Sequence, residues 1–100
     1  MTMTIDTLAL VLENMLGDCW AVTARFDRIV AVTPLCDRIL IQPVIYGYED
    51  VRWVLVPMKR QIASVVVAET ATTDVAVAIA DKLRSLAYQH RALPPLPMVA

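Results

Sequence analysis

One histidine, two cysteines and two glycines are all that this chain of 100 residues holds of the residue types behind most metal, thiol and phosphate chemistry. The lone His90 and the widely separated Cys19 and Cys36 offer no zinc spacing, so no metal is expected. With only Gly17 and Gly47, no glycine-rich loop can cradle a phosphate. Ser64 and Ser85 lack the flanking glycines of a nucleophile elbow. No apolar run reaches the roughly 18–20 residues needed to span a bilayer, and the opening MTMTIDTLAL carries an acid where a signal peptide carries bases. Charge of one sign is also missing: the net charge is −1, which gathers neither nucleic acid nor an anionic membrane at long range. These absences lead us to expect a cytoplasmic, soluble, non-enzymatic protein with no cofactor. The two cysteines, set in apolar surroundings, are expected to be free and buried.

What the chain does have is apolar surface. Hydrophobic residues make up 58% of it, against roughly 45–50% in an average soluble domain. From Thr4 onward Ile5, Leu8, Ala9, Leu12, Met15 and Leu16 fall on one helical stripe, with Thr4 or Asp6 as cap and Gly17 just past the end, which predicts a helix over 5–16. The period then changes to two. CWAVTARF sets Trp20, Val22, Ala24 and Phe26 on one side of a strand and Ala21, Thr23 and Arg25 on the other, with a turn at Asp27-Arg28. IVAVT follows as a second strand. DRIVAVTP and DRILIQP echo each other, each a strand entered from an Asp and closed by a Pro.

RILIQPVIY and VRWVLVP read as a hairpin around the tip GYED. A four-residue tip predicts Tyr46 opposite Val51, Val44 opposite Trp53, and Ile41 opposite Val56 on the other side. Pro43 has no amide to give, which argues for an edge or a bulge. IASVVVAE is β-branched enough to be expected as a fifth strand, with a helix as its alternative reading. Thr73 then caps a second helix whose buried stripe is Ala76, Ile79, Ala80, Leu83, Leu86 and Ala87, with Asp81, Arg84, Tyr88 and Arg91 on its wet side. The predicted fold is α+β: a two-layer sandwich with an N-terminal helix, an antiparallel meander of four to five strands and a C-terminal helix, both helices on one face. Residues 1–92 form the domain, and 93–100 a Pro-rich C-terminal tail.

Such a sheet should be polar outside, yet ILI, VLV and VVV run through the middle of strands three, four and five. Two helices on one side cannot cover that second apolar face, so a second copy of the chain or a host protein is expected to do so. The expected function is a protein–protein interaction module, a homodimer. Its small size and arginine-, alanine- and valine-rich composition suit an accessory protein that a bacteriophage or mobile element encodes to bind a host protein. Candidate partner-binding residues are Tyr46, Tyr48, Arg52 and Trp53 on the hairpin, because Trp, Tyr and Arg anchor interfaces. Arg91, Pro94 and Pro97 join them if RALPPLP is a polyproline ligand, although a proline pair after a helix is ordinarily its stop. The competing class is a small nucleic-acid-binding module using the Arg-bearing face. Arg25, Arg28, Arg38, Arg52, Lys59 and Arg60 against Asp27, Asp37, Glu49 and Asp50 leave the sheet region only two net positive charges, too few for strong phosphate binding. An enzyme would require Asp27 and Asp37 to converge beside Arg28 or Arg38.

Overall fold

The computed structural model describes residues 4–47, 50–59, 62–68 and 75–92, and within these every side chain except those of Tyr46, Asp50 and residues 89–92. The chain forms α1 (Ile5–Leu16), β1 (Ala21–Ala24), β2 (Ile29–Val32), β3 (Arg38–Gly47), β4 (Asp50–Pro57), β5 (Val65–Ala68) and α2 (Val75–Ala92). The strands make one antiparallel sheet in the order β1-β2-β3-β4-β5, the meander expected from the alternation of apolar runs and turns. α1 packs against β1 and α2, and α2 packs against β4 and β5, which puts both helices on one face.

Local chemistry explains the ends of α1. The Thr4 hydroxyl accepts from the Thr7 amide at 3.2 Å, an N-cap on one of the free donors of the first turn. At the other end Gly17 takes φ 86° and ψ −175°, a region essentially restricted to glycine, and donates its amide to the Glu13 carbonyl at 3.2 Å. The last turn of α1 has no basic residue of its own. Arg84 of α2 supplies the cation, donating from Nη2 to the Met15 carbonyl at 2.7 Å and locking the two helices together. α2 ends at Ala92, two residues before Pro94, as expected of a proline stop; Thr73, its expected cap, lies outside the described residues.

The core lies between the helices and one face of the sheet. Leu8, Ala9 and Leu12 of α1 and Val75, Ala76, Ile79, Ala80, Leu83 and Leu86 of α2 meet Ile29, Ala31, Ile39, Ile41, Trp53, Leu55 and Val67. The alanines of α2 allow close approach to the sheet. At about 25 cal/mol per Å² of apolar surface removed from water, this shared burial is the main term holding the layers together.

Three expectations need correction. In the β3–β4 hairpin Ile45 faces Val51, Pro43 faces Trp53, Val44 faces Arg52 and Ile41 faces Leu55, one residue away from the expected register. The cause is a bulge: Gly47 pairs with Asp50 but Ile45 with Val51, so Tyr46 is an extra residue on β3. Phe26 does not continue the buried side of β1. The Arg25 amide donates to the Arg28 carbonyl at 2.7 Å, so Phe26 and Asp27 form the two-residue hairpin turn, and Phe26 is fully exposed. Cys19 and Cys36 are free but exposed, because both sit in turns, Cys36 at φ 66°.

Pro43 does sit at an edge. The Met58 amide donates to the Arg38 carbonyl at 3.0 Å, which makes Ile39 and Pro57 a pair whose own backbone groups point away from each other. By alternation Pro43 likewise directs its nitrogen away from β4, towards β2. But β2 pairs with β3 only as far as Ile41, so no ladder bond is lost there.

Candidate interaction surface

Register fixes what the helix-free face carries. Thr23, Val30, Leu40 and Val56 lie side by side across four strands; Gln42, Val54 and Val66 form the next row. Val32 pairs with Arg38 beyond one end, and Val44, Arg52 and Ala68 lie beyond the other. Met58, opposite Arg38, extends the apolar strip along the strand end. Val30, Val32, Leu40, Val44, Val54 and Val56 are half-buried, while Val66 is 52% and Met58 61% exposed. Eight aliphatic side chains thus occupy a face on which neither helix packs.

Arginine borders this strip. Arg28 and Arg38 occupy the same place in the echoed Asp-Arg-Ile segments: Ile29 and Ile39 turn into the core, so the arginine before each lies on the outer register. Arg25 faces Arg28 across the turn and Arg52 lies on the outer register of β4. Asp27 accepts from Arg28 Nε at 3.0 Å and Nη2 at 3.2 Å; this bidentate pair holds the Asp27 carboxyl below the usual carboxylate range and raises the Arg28 guanidinium. Fully exposed Phe26 stands at the same tip, an aromatic that its place in the strand alternation had hidden.

Of the expected partner-binding residues, Arg52 and Trp53 are the two whose side chains are described, and they lie on opposite faces of the sheet. Trp53 is 1% exposed and belongs to the core, because the bulge gives β4 a register in which Val51, Trp53 and Leu55 face the helices. Arg52, its neighbour, lies on the opposite face. Tyr46 is the bulge residue and Arg91 lies in α2, their side chains outside the described set; Tyr48, Pro94 and Pro97 are outside the described residues altogether. Asp27 and Asp37 do not converge: β2 separates them, and Asp37 pairs with Lys59 at 3.3 Å while Asp27 holds Arg28.

A cavity of about 280 Å³ lies between the β2–β3 turn and α2, lined by Thr33, Pro34, Leu35, Ala87 and Tyr88. Among the described lining residues the buried polar one is Thr33, and it is already engaged: the hydroxyl accepts from the Leu35 and Asp37 amides at 3.2 and 3.1 Å. No described residue lining the cavity is a carboxylate, histidine or cysteine. Among the described residues no group of three metal-ligating side chains occurs, and no helix is long and apolar enough to cross a membrane. No protein-family model, curated protein or solved structure matches the chain.

Proposed function

We propose that the protein is a non-enzymatic protein-interaction module acting in the cytoplasm through the outer face of its sheet. The observation that carries this reading is the row Thr23-Val30-Leu40-Val56 with Val54 and Val66 beside it, an aliphatic surface that neither helix covers. Monomers seldom leave a contiguous apolar patch of several hundred Å² in water, and interfaces are where such patches are used. A second copy of the chain and a different protein are the two ways to close it.

The competing nucleic-acid reading draws on the arginines but finds no use for the aliphatic centre. Bases reward aromatic stacking, and phosphates reward charge; eight aliphatic side chains supply neither. The test is site-specific photo-cross-linking in the cells that make the protein, with benzoylphenylalanine in place of Val56 on the outer face or Asp81 on the exposed side of α2. A discrete protein adduct is expected from position 56, none from position 81, and loss of the adduct on adding Leu40→Asp. Equal yields from both positions would remove the reading. An adduct of twice the chain mass identifies a homodimer; any other discrete mass identifies a different partner.

A further inference from the structure

We infer that the outer sheet face receives an acidic amphipathic helix of a different protein, lying across the aliphatic strip with its carboxylates against the arginines at the border. This rests on the outer face being the working surface and adds what kind of partner fits it. Two independent features select that occupant, one of size and one of charge.

The size argument starts from the sheet itself. Along β3 the strip runs from Arg38 to Val44, six residue steps or about 20 Å, and five strands give it a width of about 19 Å. That is a planar footprint of about 400 Å², corrugated by side chains, against the roughly 800 Å² per partner of a standard stable dimer. The opposite face of the same sheet shows what closes such an area: α1 and α2, helices of 12 and 18 residues. A helix with its side chains is about 10–12 Å wide, so one covers half the width and a pair covers all of it.

Charge decides the chemistry of that helix. Arg25, Arg28 and Arg38 lie on the outer register around the aliphatic strip, with Arg52 at its other end. Asp27 offsets Arg28, but no described carboxylate lies within ion-pair distance of Arg25 or Arg38. A second copy laid strip on strip offers Arg25 and Arg38 little in return: among the described side chains of this face the carboxylate beside the strip is Asp27, which already holds Arg28. A helix with an apolar stripe flanked by Glu or Asp buries the aliphatics and gives Arg25 and Arg38 carboxylate acceptors. Nucleic acid would satisfy the arginines and leave Val30, Leu40, Val54 and Val56 wet.

The experiment titrates the intact protein with two synthetic 18-residue helical peptides of identical leucine stripe, one flanked by glutamate and one by lysine, and with a uridine oligonucleotide, using fluorescence anisotropy at 50 and 300 mM salt. The protein alone is sedimented in parallel. The glutamate peptide is expected to bind at least about tenfold more tightly than its lysine twin at 50 mM, with that ratio shrinking at 300 mM as screening grows. Arg25→Glu with Arg38→Glu, on exposed positions that leave the core untouched, should abolish the preference between peptides. Leu40→Asp, checked for native circular dichroism, should abolish binding of both. Equal binding of the two peptides, no binding of either, or an oligonucleotide that binds more tightly than the glutamate peptide each overturns the inference. A dimer dissolved by Leu40→Asp also overturns it, assigning the face to a second copy. A cross-link at position 56 together with a failed peptide titration would leave the face a working surface and reject only the acidic helix.

Discussion

Val54 and Leu55 are neighbours on β4 that the fold sends to opposite sides, so substituting each in turn tests the register on which the interaction surface depends. Leu55 is fully buried against the helices, and Leu55→Ala removes three carbons from a packed core that cannot collapse around the gap. Such truncations cost about 2–5 kcal/mol, and the full burial of Leu55 places it near the middle, about 3 kcal/mol. Val54 faces Gln42 and Val66 on the open side, where a hydroxyl meets water, so Val54→Thr should cost less than about 0.5 kcal/mol. With a urea slope of about 1.5 kcal/mol per M, the unfolding midpoint of the isolated protein should fall by about 2 M for Leu55→Ala and by less than about 0.4 M for Val54→Thr. Trp53 in the core is the reporter, followed by its fluorescence at low micromolar concentration so that association does not contribute. Equal losses from the two substitutions, at unchanged slope, would mean that Val54 is buried within the monomer, and with it the whole outer register would be wrong.

The turn from β2 to β3 gives a second prediction: Thr33→Val removes the hydroxyl that accepts from two amides and should lower stability by about 1–3 kcal/mol in the same urea assay, whereas Thr33→Ser should retain most of it. Gly17→Ala forces a side chain into glycine-only backbone and should cost about 1–3 kcal/mol by thermal unfolding, even though a methyl group there would meet no other atom. Both cysteines should react with a water-soluble maleimide in the native protein, two labels by mass, and a need for denaturant would refute their exposure. Asp27 should titrate below an ordinary aspartate in a carboxyl-detected NMR titration and return towards the ordinary value in Arg28→Gln. Since folding lowers its pKa, any stability it adds is present above the unfolded value and is lost as pH falls through the folded one.

Much of this architecture is written in the order of residues. The stripe from Ile5 to Leu16 with Thr4 before it and Gly17 after it defines α1, and Ala76, Ile79, Ala80, Leu83 and Leu86 define the buried side of α2. The strands follow from period-two runs between turn residues, and Pro43 correctly announces an unpaired edge. Less legible is which side of each central strand faces the helices. Where one face is polar, alternation reveals the core; in RILIQPVIY and VRWVLVP both faces are apolar, so the pattern is compatible with either register. The bulge at Tyr46 then decides it without leaving a local signature, since Gly47 suits a tip with or without an extra residue. Phe26 and Cys36 illustrate a related gap, in that hydrophobic character argues for burial but the tight turn dictates exposure.

That same ambiguity explains why the outer face is a surface and not a second core. Trp53, Leu55, Ile39 and Ile41, which include the bulkiest side chains of the central strands, all turn towards the helices, and the outer side receives mostly valine. Valine keeps strand propensity high and presents a shallow, stiff surface with little side-chain entropy to lose when covered. On the reading proposed above, a partner would meet a preorganised plane, which lowers the side-chain ordering cost of association. On the same reading, arginine at the border would orient what closes the plane. Replacing Val30, Val54 and Val56 together by threonine should preserve the fold and strand propensity while removing most of the transfer term. The triple variant is expected to match the unmodified protein in far-ultraviolet circular dichroism and in thermal midpoint within a few degrees, yet to lose the cross-link from a probe placed at Val66. A variant that instead melts well below the unmodified protein would show that these valines support the monomer's own interior, and the open face would have to be sought elsewhere.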